Sequence, residues 1–229
     1  MKTKSVFFSE LAYVFGIITL ALGTALMERA DFGMSMVVAP AYLLHLKLSQ
    51  YYPAFTFGMS EYILQAFLLI ILSVAMRRFK KSYLFSFITA VIYGSVLDLM
   101  LRAVRYMPQA GVLWRSAYFA AGMLLCALGV SFFFHTYIAP EAYELFVKEI
   151  AKKYKRNVNR VKTAYDCCSC LTGILLSFAF FGFGHFEGVK LGTVFCALFN
   201  GWLIGRISSI MESLFTFKDA FPLRDIFDQ

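Results

Sequence analysis

Seven ionisable side chains stand inside or at the mouths of long apolar runs: Arg29, Asp31, Glu61, Asp98, His135, Asp166 and Arg206. An ionisable group at membrane depth is expensive to bury and by default marks function, with a partner to be named. These residue types suit ion-pair gates and solute coordination, and Glu61, Asp98, Asp166 and His135 are candidates to carry protons. Other chemistry finds no residues to stand on. The chain has no nucleophile elbow, P-loop, H-E-x-x-H or dinucleotide fingerprint, so an enzyme is not expected. Cys167 and Cys170 share a helix face near Asp166, but they form no paired C-x-x-C set, and inert packing is the expectation. No metal and no cofactor is therefore expected.

The elements that must position these residues are set by composition. Of 229 residues, 60% are hydrophobic and 16% charged, with mean hydropathy +0.67. Soluble domains carry about 25% charged residues, because their surface must be polar. Runs of about 20 apolar residues span a hydrocarbon core as helices. Backbone groups in lipid must pair internally, and these runs show no period-2 alternation, which excludes a barrel. Six spans are predicted, at about Leu11 to Met27, Phe57 to Met76, Tyr83 to Leu101, Val112 to Phe134, Cys167 to Phe183 and Leu191 to Met211. Met1 to Lys4 ahead of the first run resembles a signal peptide. With five spans behind it, an uncleaved first helix is expected.

The formal charge of +8 does not point to nucleic acid, because the cations sit in short connections. Most of the 22 Lys and Arg fall on one side: Lys2 and Lys4, the four after span two, seven from Lys148 to Lys162, then Lys218 and Arg224. That bias predicts both termini inside a bacterial cytoplasmic membrane. Met34 to Leu48 is apolar but too short to cross, so it is expected as a helix at the outer interface. Glu141 to Tyr154 is amphipathic, with Glu144–Lys148 and Glu149–Lys153 as i,i+4 pairs. It is expected along the cytoplasmic face, as a solvated connector.

Self-comparison shows a repeat. A shift of about 106 residues lays Ala21, Leu22 and Gly23 on Ala127, Leu128 and Gly129. A shift of about 107 lays Ala90 on Ala197 and Gly94 on Gly201, both at small-xxx-small spacing. Each half then reads as span, interfacial helix, span, span, over 1–108 and 109–229. Three spans is an odd number, so the second half enters the membrane from the opposite side. The fold class is all-α: six transmembrane helices as a 3+3 inverted-topology repeat, with interfacial helices after the first and fourth spans. Two quasi-equivalent gates are expected, an outer one on Arg29, Glu61 and Asp98 and an inner one on His135, Asp166 and Arg206.

Several stretches carry a resemblance to a known family. Ala30-Asp31-Phe32-Gly33-Met34-Ser35 resembles the A-D-L-G-x-S signature of YczE/YitT-like bacterial membrane proteins. Tyr93-Gly94-Ser95-Val96-Leu97-Asp98-Leu99 is similar to their G-x-x-x-D-L, Ile138-Ala139-Pro140 to the A-P after span four, and Val161 to Asp166 to the V-[KR]-x-x-x-D entry to span five. Gly192-Thr193 with Ala197 and Gly201 resembles G-T-x-x-x-A-x-x-x-G in span six. The chain departs after the A-P, where Glu141 and Ala142 stand in place of an Asp. The resemblance implies a multi-span inner-membrane protein and no particular substrate.

The function expected is a secondary transporter of a small polar or charged solute working by alternating access. The alternatives are a membrane scaffold or regulator without transport, and a substrate-binding subunit of an energy-driven importer. Partners are then the lipid bilayer and a small molecule or ion, not nucleic acid, and small-residue rows permit a homodimer.

Overall fold

A computed structural model describes residues 4–108, 111–183, 187–222 and 224. The helices are α1 (Ser9–Ala30), α2 (Ala39–Leu48), α3 (Phe57–Met76), α4 (Lys81–Val104), α5 (Gly111–Phe134), α6 (Ala142–Lys153), α7 (Val158–Phe181) and α8 (Leu191–Leu214). All but α2 and α6 are long and apolar enough to cross a bilayer. The chain is a multi-pass membrane protein.

The side chains are arranged inside out relative to a soluble bundle. On α3, Ile63, Phe67, Ile70 and Val74 point outward, while Glu61 and Gln65 are fully buried. Lipid solvates the apolar face, so the polar residues collect where helices meet. The most extensive crossing joins α1 and α5. A Cβ on Gly23 would lie 2.7 Å from the backbone nitrogen of Cys126, and one on Gly129 would lie 2.8 Å from that of Leu20. Side-chain-free positions let the two backbones touch. Around this pair, α4 packs on α1 and on α3, and α8 packs on α5 and on α7. The short helices sit between, α2 on α3 and α7, α6 on α3, α4 and α7.

Three departures from the sequence reading have clear causes. Helix α7 begins at Val158, nine residues before the predicted Cys167. Arg160, Lys162 and Asp166 read as a polar connection, but Lys162 and Asp166 are buried and paired and so continue the helix. Helix α6 is not a solvated connector. It buries Tyr143, Glu144, Leu145, Val147 and Ala151. Its expected i,i+4 pairs give way to longer-range ones, Glu144 with Lys162 and Glu149 with Lys80. Helix packing supplies nearer cations than the helix itself does.

A short parallel ribbon was not foreseen. β1 (Ser5–Phe8) pairs with β2 (Phe215–Lys218), which brings the two ends of the chain together. The carboxylate of Glu10 reinforces it by accepting from the Ala220 amide at 3.0 Å and the Tyr137 hydroxyl at 2.7 Å. Termini on one side match an even number of crossings.

Candidate functional site: a buried acidic cluster

Four carboxyl groups and one ammonium meet where α3, α6 and α7 pack. Glu61 comes from α3, Glu141 from the residue ahead of α6, Glu144 from α6, and Lys162 and Asp166 from α7. None is more than 2% exposed. Burial on this scale requires partners, because an unpaired charge out of water costs several kcal/mol, on the order of 3–5 when one partner of a pair is removed.

The cluster has two parts. In the first, the Gln65 amide nitrogen donates to Glu61 Oε2 at 3.2 Å and to Glu141 Oε2 at 3.0 Å. Its amide oxygen accepts from the Ala142 backbone N–H at 3.0 Å, which fixes the amide's orientation. The Tyr143 hydroxyl donates to Glu61 Oε2 at 2.8 Å. In the second part, Lys162 Nζ lies 3.0 Å from Asp166 and 3.6 Å from Glu144. Among the described residues, Oε1 of both Glu61 and Glu141 accepts no hydrogen bond.

Glu141 owes its position to α4. The Thr89 hydroxyl donates to the Ala139 carbonyl at 2.8 Å, and the Ser86 hydroxyl to that of Pro140. Pro140 has no N–H to satisfy, so this extended segment enters the interior with its carbonyls already partnered. Burial, then the nearby Glu144 and Glu61, pushes the Glu141 carboxyl well above the usual carboxylate range. On α6, burial lowers the Lys148 ammonium to about 8, and its Nζ donates to the Phe133 carbonyl at 2.8 Å. Glu141, Glu144, Lys162, Tyr143, Thr24 and Asn200 line a cavity of about 20 Å³. That is room for one water-sized species.

The sequence-predicted residues are distributed differently from the two gates. Glu61 and Asp166 both belong to this central cluster, each fully buried. Arg29 and Asp98 line a cleft of about 530 Å³ with Glu28, His45, Arg102 and Arg105. There Asp98 accepts from the Gly58 amide at 3.1 Å, and Arg29 donates to the Met107 carbonyl at 3.1 Å. Asp31 pairs with Arg115 at 3.0 Å and with Lys190. His135 stands 3.1 Å from Glu212 and 2.7 Å from the Ser131 carbonyl. Arg206 lies over the Trp202 ring, in a cleft with Asn159 and Thr163. His135, Asp166 and Arg206 thus occupy three separate places and make no inner trio. Depth alone sorted them, and depth says nothing about which helix faces which.

The small residues do sit at crossings. Gly94 lies against Tyr62 and Gly58 where α4 meets α3, with Ala90 fully buried on the same helix. Gly201 lies against Thr163 where α8 meets α7, where a Cβ would come 2.6 Å from the hydroxyl, and Ala197 is buried one turn away. Cys167 and Cys168 are exposed and Cys170 is buried.

Sequence reasoning missed Gln65, Glu141, Glu144 and Lys162. A signal was present: Glu61 and Gln65, like Lys162 and Asp166, are polar pairs at i,i+4 on one helix face.

Six apolar spans around a charged interior define a polytopic membrane protein with a buried ionisable site. The chain belongs to a family of unknown function, DUF6198, whose model matches residues 7–209. No curated protein and no solved structure matches it.

Proposed function

We propose that this protein is a secondary transporter that moves a small polar or charged solute across the bacterial cytoplasmic membrane by alternating access. The observation that carries this reading is the buried cluster of Glu61, Glu141, Glu144, Asp166 and Lys162. Helix packing alone has no need of five ionisable groups, and intramembrane charges characteristically line ion and solute pathways.

The mechanism rests on an inverted 3+3 repeat. Exchanging α1 with α5, α2 with α6, α3 with α7 and α4 with α8 turns the pairings of one half into those of the other. The pairs α1–α4 and α5–α8 correspond, as do α3–α4 and α7–α8, and α2–α7 and α6–α3. Gly23 and Gly129 take equivalent roles in the α1–α5 crossing, which supports a pseudo-two-fold axis through it. The cluster lies where the short helix of the second half meets spans of both halves. Rocking one half against the other exposes it first to one face and then to the other. The excess of Lys and Arg on the side of the paired termini supports a cytoplasmic location for both ends. The motif likeness to YczE/YitT-like proteins fits the same picture, since its A-P pair is the segment that delivers Glu141.

Proteoliposomes holding only this protein test the reading. Counterflow of amino acids, organic acids or amines under an imposed ion gradient is expected. Replacing Asp166 by Asn should lower the rate at least tenfold while the protein elutes as a folded species. Inert vesicles across such a panel, with folded protein, would favour a scaffold.

A further inference from the structure

We propose that Glu61 and Glu141 form a single proton-carrying site, a carboxylic acid hydrogen-bonded through Gln65 to its neighbour, occupied at neutral pH. The proposal rests on the transporter reading only in making this proton the coupling ion. Proton occupancy itself does not depend on transport.

The case begins with charge. Four carboxylates and one ammonium would leave three uncompensated negative charges in a region no more than 2% exposed. Lys162 is committed to Asp166 at 3.0 Å and Glu144 at 3.6 Å, so it answers for one part of the cluster. The other part, Glu61 and Glu141, contains no cation. Its donors are the two hydrogens of the Gln65 amide, one to each carboxyl, and the Tyr143 hydroxyl. Neutral donors do not offset two like charges held on opposite sides of one amide group. A proton on one oxygen removes one of the two charges and with it the repulsion between them, and Gln65 and Tyr143 then serve the single charge that remains.

Among the described residues the one ammonium near the pair is Lys162, which lines the same cavity as Glu141 but lies at ion-pair distance from Asp166 and Glu144. From α6 the pair faces Glu144, a further carboxyl, and from α7 Lys162 and Asp166, which pair with each other. The other titratable neighbours are Tyr13, Tyr93, Tyr143, Tyr165 and Cys126, hydroxyls and a thiol that carry no charge at pH 7. Helix α2 also packs on α3, but its His45 stands in the outer cleft with Asp98.

A second observation comes from outside the acids. Asn200 of α8, 4% exposed, lines the same cavity of about 20 Å³ as Glu141, and its Oδ1 receives no donor. An unpartnered side-chain oxygen on a residue that lines a one-water space suits a relay. The cavity passes a proton between Glu141 Oε1 and a water, and Asn200 Oδ1 accepts that water's second hydrogen. Uptake forms one carboxyl O–H bond and breaks one O–H bond of a hydronium. Release is the reverse.

Infrared spectroscopy of the purified protein in detergent tests this without any transported solute. At pH 7, with choline as the only added cation, a protonated-carboxyl stretching band is expected. It should lose most of its amplitude in both Glu61→Gln and Glu141→Gln, and keep it in Glu144→Gln. Retention in both of the first two, or no band in the wild type, overturns the site. So does a band present in choline chloride and abolished by sodium chloride, which would put an alkali cation there. If one variant fails to fold, alkaline titration of the wild-type band, compared with the other variant, decides the question. In vesicles, a proton gradient should drive flux, and flux indifferent to that gradient beside an intact band overturns the coupling role alone. Vesicles that move nothing, with an intact band, sink the transporter reading and leave the proton site standing.

Discussion

Helices α2 and α6 hold the same place in the two halves of the chain, each wedged between α3 and α7. Their chemistry is opposite. The buried face of α2 is Ala39, Pro40, Ala41 and Leu43. The buried face of α6 carries Tyr143 and Glu144, with Glu141 just ahead of it. One wedge packs by shape, and the other brings charge into the centre. Within the proposed repeat, equivalent places therefore do not carry equivalent sites. Lys162 of α7 answers Glu144 and Asp166, while Glu61 and Glu141 are served by Gln65 and Tyr143.

The sharpest way to break this contrast is to remove a lysine from each wedge's neighbourhood. Lys162→Met leaves Glu144 and Asp166 without their cation, so unfolding free energy in detergent should fall by about 3–5 kcal/mol at pH 7. Lys47→Met on α2, whose ammonium donates to the Phe180 carbonyl at 3.4 Å and lies over the Tyr51 ring, should change stability by no more than about 1 kcal/mol. Equal losses would mean that α6 is no more charge-dependent than α2.

A smaller effect should appear with pH. Glu141 has its folded proton affinity raised above the usual 4.5, so the folded state binds more protons than the unfolded one as pH rises past that value. Stability must then decline with rising pH from about 4.5 until Glu141 ionises in the fold. One proton contributes at most about 1.4 kcal/mol per pH unit. Chemical denaturation at a series of pH values should show this slope, and Glu141→Gln should flatten it. A slope unchanged by the substitution would assign it elsewhere.

The smallest effects compare two tyrosines. Tyr143→Phe deletes the hydroxyl that donates to Glu61 and should lower stability by about 1 kcal/mol. Tyr42→Phe on α2, whose ring packs against Phe57 and His45, should stay within about 0.5 kcal/mol. Thermal unfolding monitored by intrinsic fluorescence separates the two.

Much of the frame was legible in the residues. Span three was read as Tyr83 to Leu101 and proves to be Lys81–Val104, and span two matches end to end at Phe57–Met76. Glu61 and Asp166, singled out for their depth in the sequence, are fully buried, but the gates expected from the sequence put them on opposite sides and the fold puts them in one cluster. Lys162 was read as one of many topogenic cations and Glu144 as half of a surface pair. Both readings used only near neighbours along the chain, which is all that periodicity can see.

The amino-acid sequence by itself determined that this chain forms six helices long and apolar enough to cross a bilayer, with ionisable groups within and beside them. Transfer into lipid is summed residue by residue along a local stretch, so composition suffices. Only the tertiary structure decided which charges answer one another. Gln65 reaches Glu141 across 76 positions and Tyr143 reaches Glu61 across 82, contacts set by how helices pack and not by the spacing of residues along any one of them.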